Sequence, residues 1–295
     1  MENKFRFLTL LVIGGLWQSA FTQIRMAYGM DTPTFMLVHE DTDRSETLDS
    51  CYLTVSYEVR HRASEHDDSL SRSNIMDLQA GRLFNAFFSR DLRDLDIENT
   101  HSLKTVMQIE TIPDGYLGWD ILLSHSDSVM TVTNRLPFTT QMTEYTEKLP
   151  AIEWREIPEE TDTVMGYPCR TAVCSLGGRE WRVAYTEAIP LPYGPWKLGG
   201  ERGLILKASD SDNGYRFEAV GLTQKKAPIL RYEWPRKRMG KREWMEFERD
   251  MYANAGAFAR NTGTRILITD NSEKGFHPLN ESDDWVEYYN PLEKE

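Results

Sequence analysis

Three groups of side chains in this sequence have types and spacings that could do chemistry. The first is His61 and His66, five apart and next to Asp67 and Asp68. Imidazole and carboxylate together can hold a divalent metal, but this spacing matches no usual zinc-ligand pattern. The four residues read better as a charged, solvated loop. The second group is Cys51, Cys169 and Cys174, the only thiols. On a regular strand, residues five apart point to opposite faces, so a local Cys169–Cys174 bridge needs a bulge. Cys51 could pair with either across a sheet, and one thiol is left over. None has a histidine nearby in sequence to activate it. The third group is Trp181, Tyr185, Tyr193 and Trp196, a candidate ligand-binding set. The competing reading is that they fill the core and anchor a loop, which is what large aromatics mostly do.

Other sequence signals are turns rather than sites. Asp210-Ser211-Asp212-Asn213-Gly214 superficially offers oxygen ligands for calcium. An EF-hand counted from Asp210 has Tyr215 and Gly221 where glycine and glutamate are required. No G-x-S-x-G, H-E-x-x-H, Walker A or G-x-G-x-x-G run occurs. No catalytic residue, metal ligand or cofactor is therefore assigned.

The elements that must position the aromatics are strands. From about 129 to 222, short alternating runs are separated by turn signals, as in antiparallel sheets. Strands are expected over 129–136, 142–147, 153–157, 169–176, 179–186, 204–209 and 216–222. Gly177-Gly178 and Asp212-Asn213-Gly214 supply hairpin turns. Residues 51–60 alternate with period 2, with Cys51, Leu53, Val55, Tyr57 and Val59 on one face. Ile75, Leu78, Leu83, Phe84, Phe87 and Phe88 fall near helical spacing and predict a short strand entering a helical turn. Pro190, Pro192 and Pro195 exclude residues 189–200 from a central strand and make them a stiff loop presenting Tyr193 and Trp196. Trp196 is expected to pack beside Trp181 or Tyr185 and close one end of an apolar interior. Trp244, Phe247, Met251 and Tyr252 recur at helical spacing and predict an amphipathic helix from 241 to 258.

Length and charge bound the rest. The chain has 295 residues, 40% of them hydrophobic, and a formal net charge of −12, enough for a substantial core and unsuited to general nucleic-acid binding. Residues 225–249 are locally basic. They could meet an anionic membrane surface or lipopolysaccharide; the reading preferred is a solvated face balanced by acidic residues elsewhere. At the N-terminus, Lys4 and Arg6 precede an uncharged run from Phe7 to Trp17, with Ser19 and Ala20 after it. This is the layout of a secretory signal peptide, expected over 1–22. The run is too short to span a membrane. A single β-rich domain is expected over 23–270 and a loosely ordered tail over 271–295.

Gly194-Pro195-Trp196-Lys197-Leu198-Gly199-Gly200-Glu201-Arg202-Gly203-Leu204-Ile205-Leu206 resembles the signature of the GLPGLI family, exported proteins of Bacteroidetes-type bacteria. Gly166-Tyr167-Pro168-Cys169-Arg170-Thr171-Ala172 is similar to the family's strand before it. Gly178-Arg179 with Trp181, Ala184, Tyr185 and Thr186 is similar to its next strand. The resemblance spans roughly 50–258 and is specific over 166–206. Glu201-Arg202 stands where the family has Leu-Pro, which removes a turn-fixing ring and an apolar contact. The resemblance implies a periplasmic or secreted protein. It also implies an α+β, mainly antiparallel β fold whose curved sheet is like the half-barrel of Lol-type lipoprotein carriers, with a C-terminal helix and an apolar hollow.

Two functions follow as expectations. The first is an exported cell-envelope binding or accessory protein, holding an apolar or amphipathic ligand in the hollow or docking an outer-membrane partner protein. The second is an envelope hydrolase or metal-dependent enzyme with a site assembled from distant residues.

Overall fold

The structure is a computed structural model. It describes residues 24–28, 36–37, 41–64, 71–102, 111–112, 116–200, 202–262, 265–269, 277–278, 280 and 289–294. Its strands in chain order are β1 (Ile24–Tyr28), β2 (Met36–Leu37), β3 (Ser45–Cys51), β4 (Leu53–Arg62), β5 (Ser71–Ala80), β6 (Phe84–Ser89) and β7 (Thr111–Ile112). Then come β8 (Trp119–Ser124), β9 (Val129–Arg135), β10 (Met142–Lys148), β11 (Arg155–Val164), β12 (Tyr167–Leu176) and β13 (Arg179–Thr186). β14 (Leu204–Asp210), β15 (Tyr215–Thr223), β16 (Ala227–Tyr232), β17 (Arg236–Arg238), β18 (Arg265–Thr269) and β19 (His277–Pro278) complete the set. The helices are α1 (Arg90–Ser102), α2 (Lys241–Ala253) and α3 (Ala255–Asn261).

Twelve strands form one curved sheet in the order β11-β12-β13-β14-β15-β4-β5-β6-β8-β9-β10-β17, not closed into a barrel. Every neighbouring pair is antiparallel except β10–β17. The fold is thus α+β, mainly antiparallel β, as the turn spacing predicted. The two hairpins form where expected: Leu176 pairs with Arg179 across Gly177-Gly178, and β14 pairs with β15 across residues 211–214. Both glycines have positive φ, the conformation a two-residue I′ turn demands. No helix among the described residues is long and apolar enough to cross a membrane.

The inner face holds the main core. Leu53, Val55, Tyr57 and Val59 of β4 alternate into it beside Met76 and Leu78 of β5, Phe87 of β6 and Phe217 of β15. α2 covers part of this face with Trp244 and Met251, one heptad apart. The outer face carries a second cluster of Cys51, Ala86, Phe88 and Ile229, under the ribbon of β3 and β16.

Four expectations are corrected. The 75–88 segment is a hairpin, β5 and β6, not a strand entering a helical turn; Gly81 turns the chain, and its close approach to Phe84 leaves no room for a Cβ. The helix begins only after Ser89, whose hydroxyl caps the Leu92 amide at 3.3 Å. The 51–60 strand breaks at Tyr52, so Cys51 leaves the face of Leu53 and enters the outer cluster. The 241–258 helix is interrupted at Asn254, with φ −132°. The fourth concerns the tail. Residues 289–294 are held by the buried Arg179, whose guanidinium donates to the Asn290 side chain and the Pro291 and Leu292 carbonyls. Leu292 sits in the main core. Arg179 is the fixed anchor because Asp210 neutralises it from the next strand. The expected signal peptide and most of 271–288 lie outside the described residues.

Candidate functional site

The proline- and glycine-rich loop, residues 189–200, lies against the inner face. Its amides and carbonyls are satisfied locally and by β14: Gly200 N–H donates to Pro192 O at 3.0 Å and Ile205 N–H to Tyr193 O at 2.9 Å. The Trp154 indole donates to Gly199 O at 3.0 Å. Gly194 is packed so closely that a Cβ would lie 2.8 Å from Leu198 O and 2.9 Å from Ile205 Cβ. The loop is therefore stiff without a ladder, as its prolines predicted.

The four candidate aromatics divide. Trp181 and Tyr185 are 1% and 0% exposed. Trp181 donates to Leu176 O, and the Tyr185 hydroxyl to Glu156, across 3.1 and 3.3 Å. Neither lines the two cavities described below, and both lie in the main core. Trp196 meets Trp181 at a ring-centroid distance of 5.4 Å, as expected, and lies under the Gly177 turn. Tyr193 stands at the loop's outer edge, stacked on His125 at 5.8 Å.

Trp196 and Lys197 separate two cavities. The first, about 350 Å³, lies between the sheet, the 149–152 connection and the loop. Its floor is Leu78, Phe87, Ile121, Leu123 and Met130; its roof is Tyr193, Trp196 and Leu198. It has one distinctive polar edge. His125 donates from Nδ1 to Arg82 O at 3.1 Å, which leaves Nε2 as an acceptor. Nε2 is buried and has no partner among the described residues.

The second cavity, about 180 Å³, lies on the other side, between the sheet, α2 and the terminal segment. Its walls include His61, Tyr145, Tyr215, Glu248, Tyr289 and Glu293. His61 is buried and stacked on Tyr215, so it belongs to β4 rather than to the solvated loop expected. Burial, helped by the nearby charge of Arg72, lowers its pKa to about 4. Burial raises the Glu248 carboxyl to about 7, with Glu293 adding to the shift and a hydrogen bond from Tyr289 opposing it. Lys197, buried between Trp196 and Tyr145, is neutralised by Glu147 and Glu293, which also hold Lys241 of α2.

The structure carries the three cysteines as free, buried thiols. Cys51 lies in the outer cluster while Cys169 and Cys174 lie in the main core, so the Cys51 pairing across the sheet is not made. Cys169 and Cys174 are both buried in the main core and carry no bridge. Among the described residues no group of three or more His, Cys, Asp or Glu side chains is placed to hold a metal. The locally basic 225–249 segment is partly spent on internal pairs: Arg231, Arg236 and Arg238 surround the buried Glu144.

Sequence reasoning missed His125, Glu248, Tyr289 and Glu293. For the last three the one available signal was their position on or after the amphipathic helix, which says nothing of what faces them.

No family model matches the chain, and no curated protein does. Two solved structures of PNGF-II, in space groups P21 and C2, are similar over 67% of this chain, with TM-scores of 0.46 and 0.45 and identities of 13% and 14%. The chain spans about a third of the length of these neighbours, the match covering 32% of each.

Proposed function

We propose that this protein is an exported cell-envelope binding protein that holds an apolar or amphipathic small molecule in the larger cavity. The observation that carries this reading is the 350 Å³ hollow floored by Leu78, Phe87, Ile121, Leu123 and Met130 and roofed by the stiff loop. Such a surface gains by excluding water from an apolar partner. The unpartnered His125 Nε2 at its edge accepts a hydrogen bond from a hydroxyl or amide of the ligand's polar end. A ligand without that donor leaves the acceptor buried and unsatisfied, which costs about 1–3 kcal/mol. The GLPGLI resemblance and the N-terminal pattern support export, and they support a place in the periplasm or outside the cell.

Native mass spectrometry of protein taken directly from its own envelope tests the reading. A co-purifying small molecule, displaced by a long-chain alcohol and reduced in Leu123→Asp, is the expected result. A protein that emerges at its bare mass and takes up no long-chain alcohol overturns it.

A further inference from the structure

The smaller cavity is not explained by an apolar cargo. Eight aromatic side chains line it, among them Trp119, Tyr145, Tyr215, Trp244, Tyr252 and Tyr289. Its ionised wall groups and their partners comprise the carboxylates Glu147, Glu248 and Glu293 and the cations Lys197 and Lys241. That leaves one negative charge in excess. Lys197 and Lys241 are spent on Glu147 and Glu293. Glu248 has only a neutral partner among the described residues, the Tyr289 hydroxyl at 3.1 Å. On the opposite wall, His61 Nδ1 is buried without a hydrogen-bond partner.

We propose that this cavity binds a small organic cation, an alkylammonium group held by the Glu248 carboxylate and the surrounding aromatic faces. An aromatic face attracts a cation through its quadrupole, most strongly where water is excluded. The carboxylate supplies the matching charge. An anion meets an excess of negative charge here, and a neutral apolar guest leaves Glu248 desolvated and unpaired. The cavity has room for about six water-sized groups at roughly 30 Å³ each, which suits a head group of choline size and not a long chain. A hydroxyl on such a guest satisfies His61 Nδ1. This site is separate from the apolar hollow and does not depend on the reading given for it.

Binding is coupled to pH through the groups that face the carboxyl. These are Tyr289 and Glu293 from the terminal segment, Tyr145 from β10, Lys197 from the loop, and His61 and Tyr215 from β4 and β15. Of these, His61 titrates only near 4, so Glu248 is the group that changes charge near neutrality. The cation binds its ionised form, and affinity falls as pH drops below about 7.

Isothermal titration of the purified full chain with choline, and with its uncharged carbon isostere 3,3-dimethyl-1-butanol, tests the proposal. Near pH 8, choline is expected to bind saturably and at least about tenfold more tightly than the isostere, a difference of about 1.4 kcal/mol. Its affinity is expected to fall roughly tenfold per pH unit well below the Glu248 titration. Glu248→Gln is expected to bring choline down to the level of the isostere and to leave long-chain alcohol binding in the other cavity unchanged. Equal affinities for choline and its isostere overturn the proposal, as does no saturable choline binding at millimolar concentration. The comparison of the two guests is made on the unaltered protein, so it decides the matter even if Glu248→Gln does not fold.

Discussion

The two cavities share Ile121, Trp196 and Lys197 and rest on the same face of the same sheet, yet one is mainly apolar and the other sets carboxylates among its aromatic side chains. The sheet contributes mostly aliphatic and aromatic side chains to both. What differs is the cover. A loop of proline, glycine and aromatics roofs the larger cavity. α2 and the terminal segment roof the smaller one and bring Glu248, Tyr289 and Glu293. The lesson is that a curved antiparallel sheet supplies a generic inner surface, and the segments laid on it decide the chemistry. The outer face makes the same point, since its arginine and carboxylate pairs are also placed by what covers it.

Removing the wall between the cavities has the largest expected effect. Trp196→Ala is expected to cost about 3–5 kcal/mol, as deletion of a large buried aromatic does. It should also let a long-chain alcohol reach the Glu248 side. Denaturant unfolding, together with competition between the alcohol and choline, checks both effects. Unchanged stability would mean that the loop does not close the interior.

The polar side should show itself through pH. His61 is held neutral in the folded chain, with its pKa at about 4 against roughly 6.5 when unfolded. The unfolded chain therefore binds more protons between those values. Stability is full above about 6.5 and falls as pH drops toward 4, by on the order of 3 kcal/mol. His61→Phe keeps the stack on Tyr215 and removes this loss. Denaturant midpoints of the two proteins at matched pH should converge or cross as the solution is acidified.

Glu248 has the opposite sign. Its folded pKa of about 7 lies above the unfolded value, so its contribution is intact below about 4.3 and is lost as pH rises through 7. Glu248→Gln should gain on the wild type between about pH 5 and 8, read as a growing difference in Tm. A constant difference would place the carboxyl in ordinary solvent.

On the apolar side, Leu123→Asp puts a charge on the cavity floor. A loss of about tenfold or more in long-chain alcohol affinity is expected, with choline affinity unchanged. Loss of both guests together would show that the cavities are not independent. The smallest effect belongs to a control away from both. Arg242 and Glu246 form an exposed i,i+4 pair on α2, and Arg242→Ala should change stability by less than about 0.5 kcal/mol in thermal melts.

The strand-rich architecture, the two hairpin turns and the stiff loop are legible in the residue order. Each is a local property: alternation follows from the pleat, Gly177-Gly178 from the positive φ of a tight turn, and the loop from three prolines without amide donors. The Trp196–Trp181 contact was also within reach, because both residues flank the same short stretch of sheet. Tertiary structure alone decided the rest. Periodicity reports that a side chain faces inward, and it is silent on which distant segment covers it. Hence Trp181 and Tyr185 read the same as Trp196 in sequence, but the former two are sealed in the core while Trp196 divides two cavities. Hence also the terminal segment, polar enough to read as loose, docks through the buried Arg179 more than a hundred residues away. A carboxyl such as Glu248 acquires its character only when burial removes water and neighbouring side chains replace it. That exchange depends on three-dimensional proximity, which spacing along a chain does not encode.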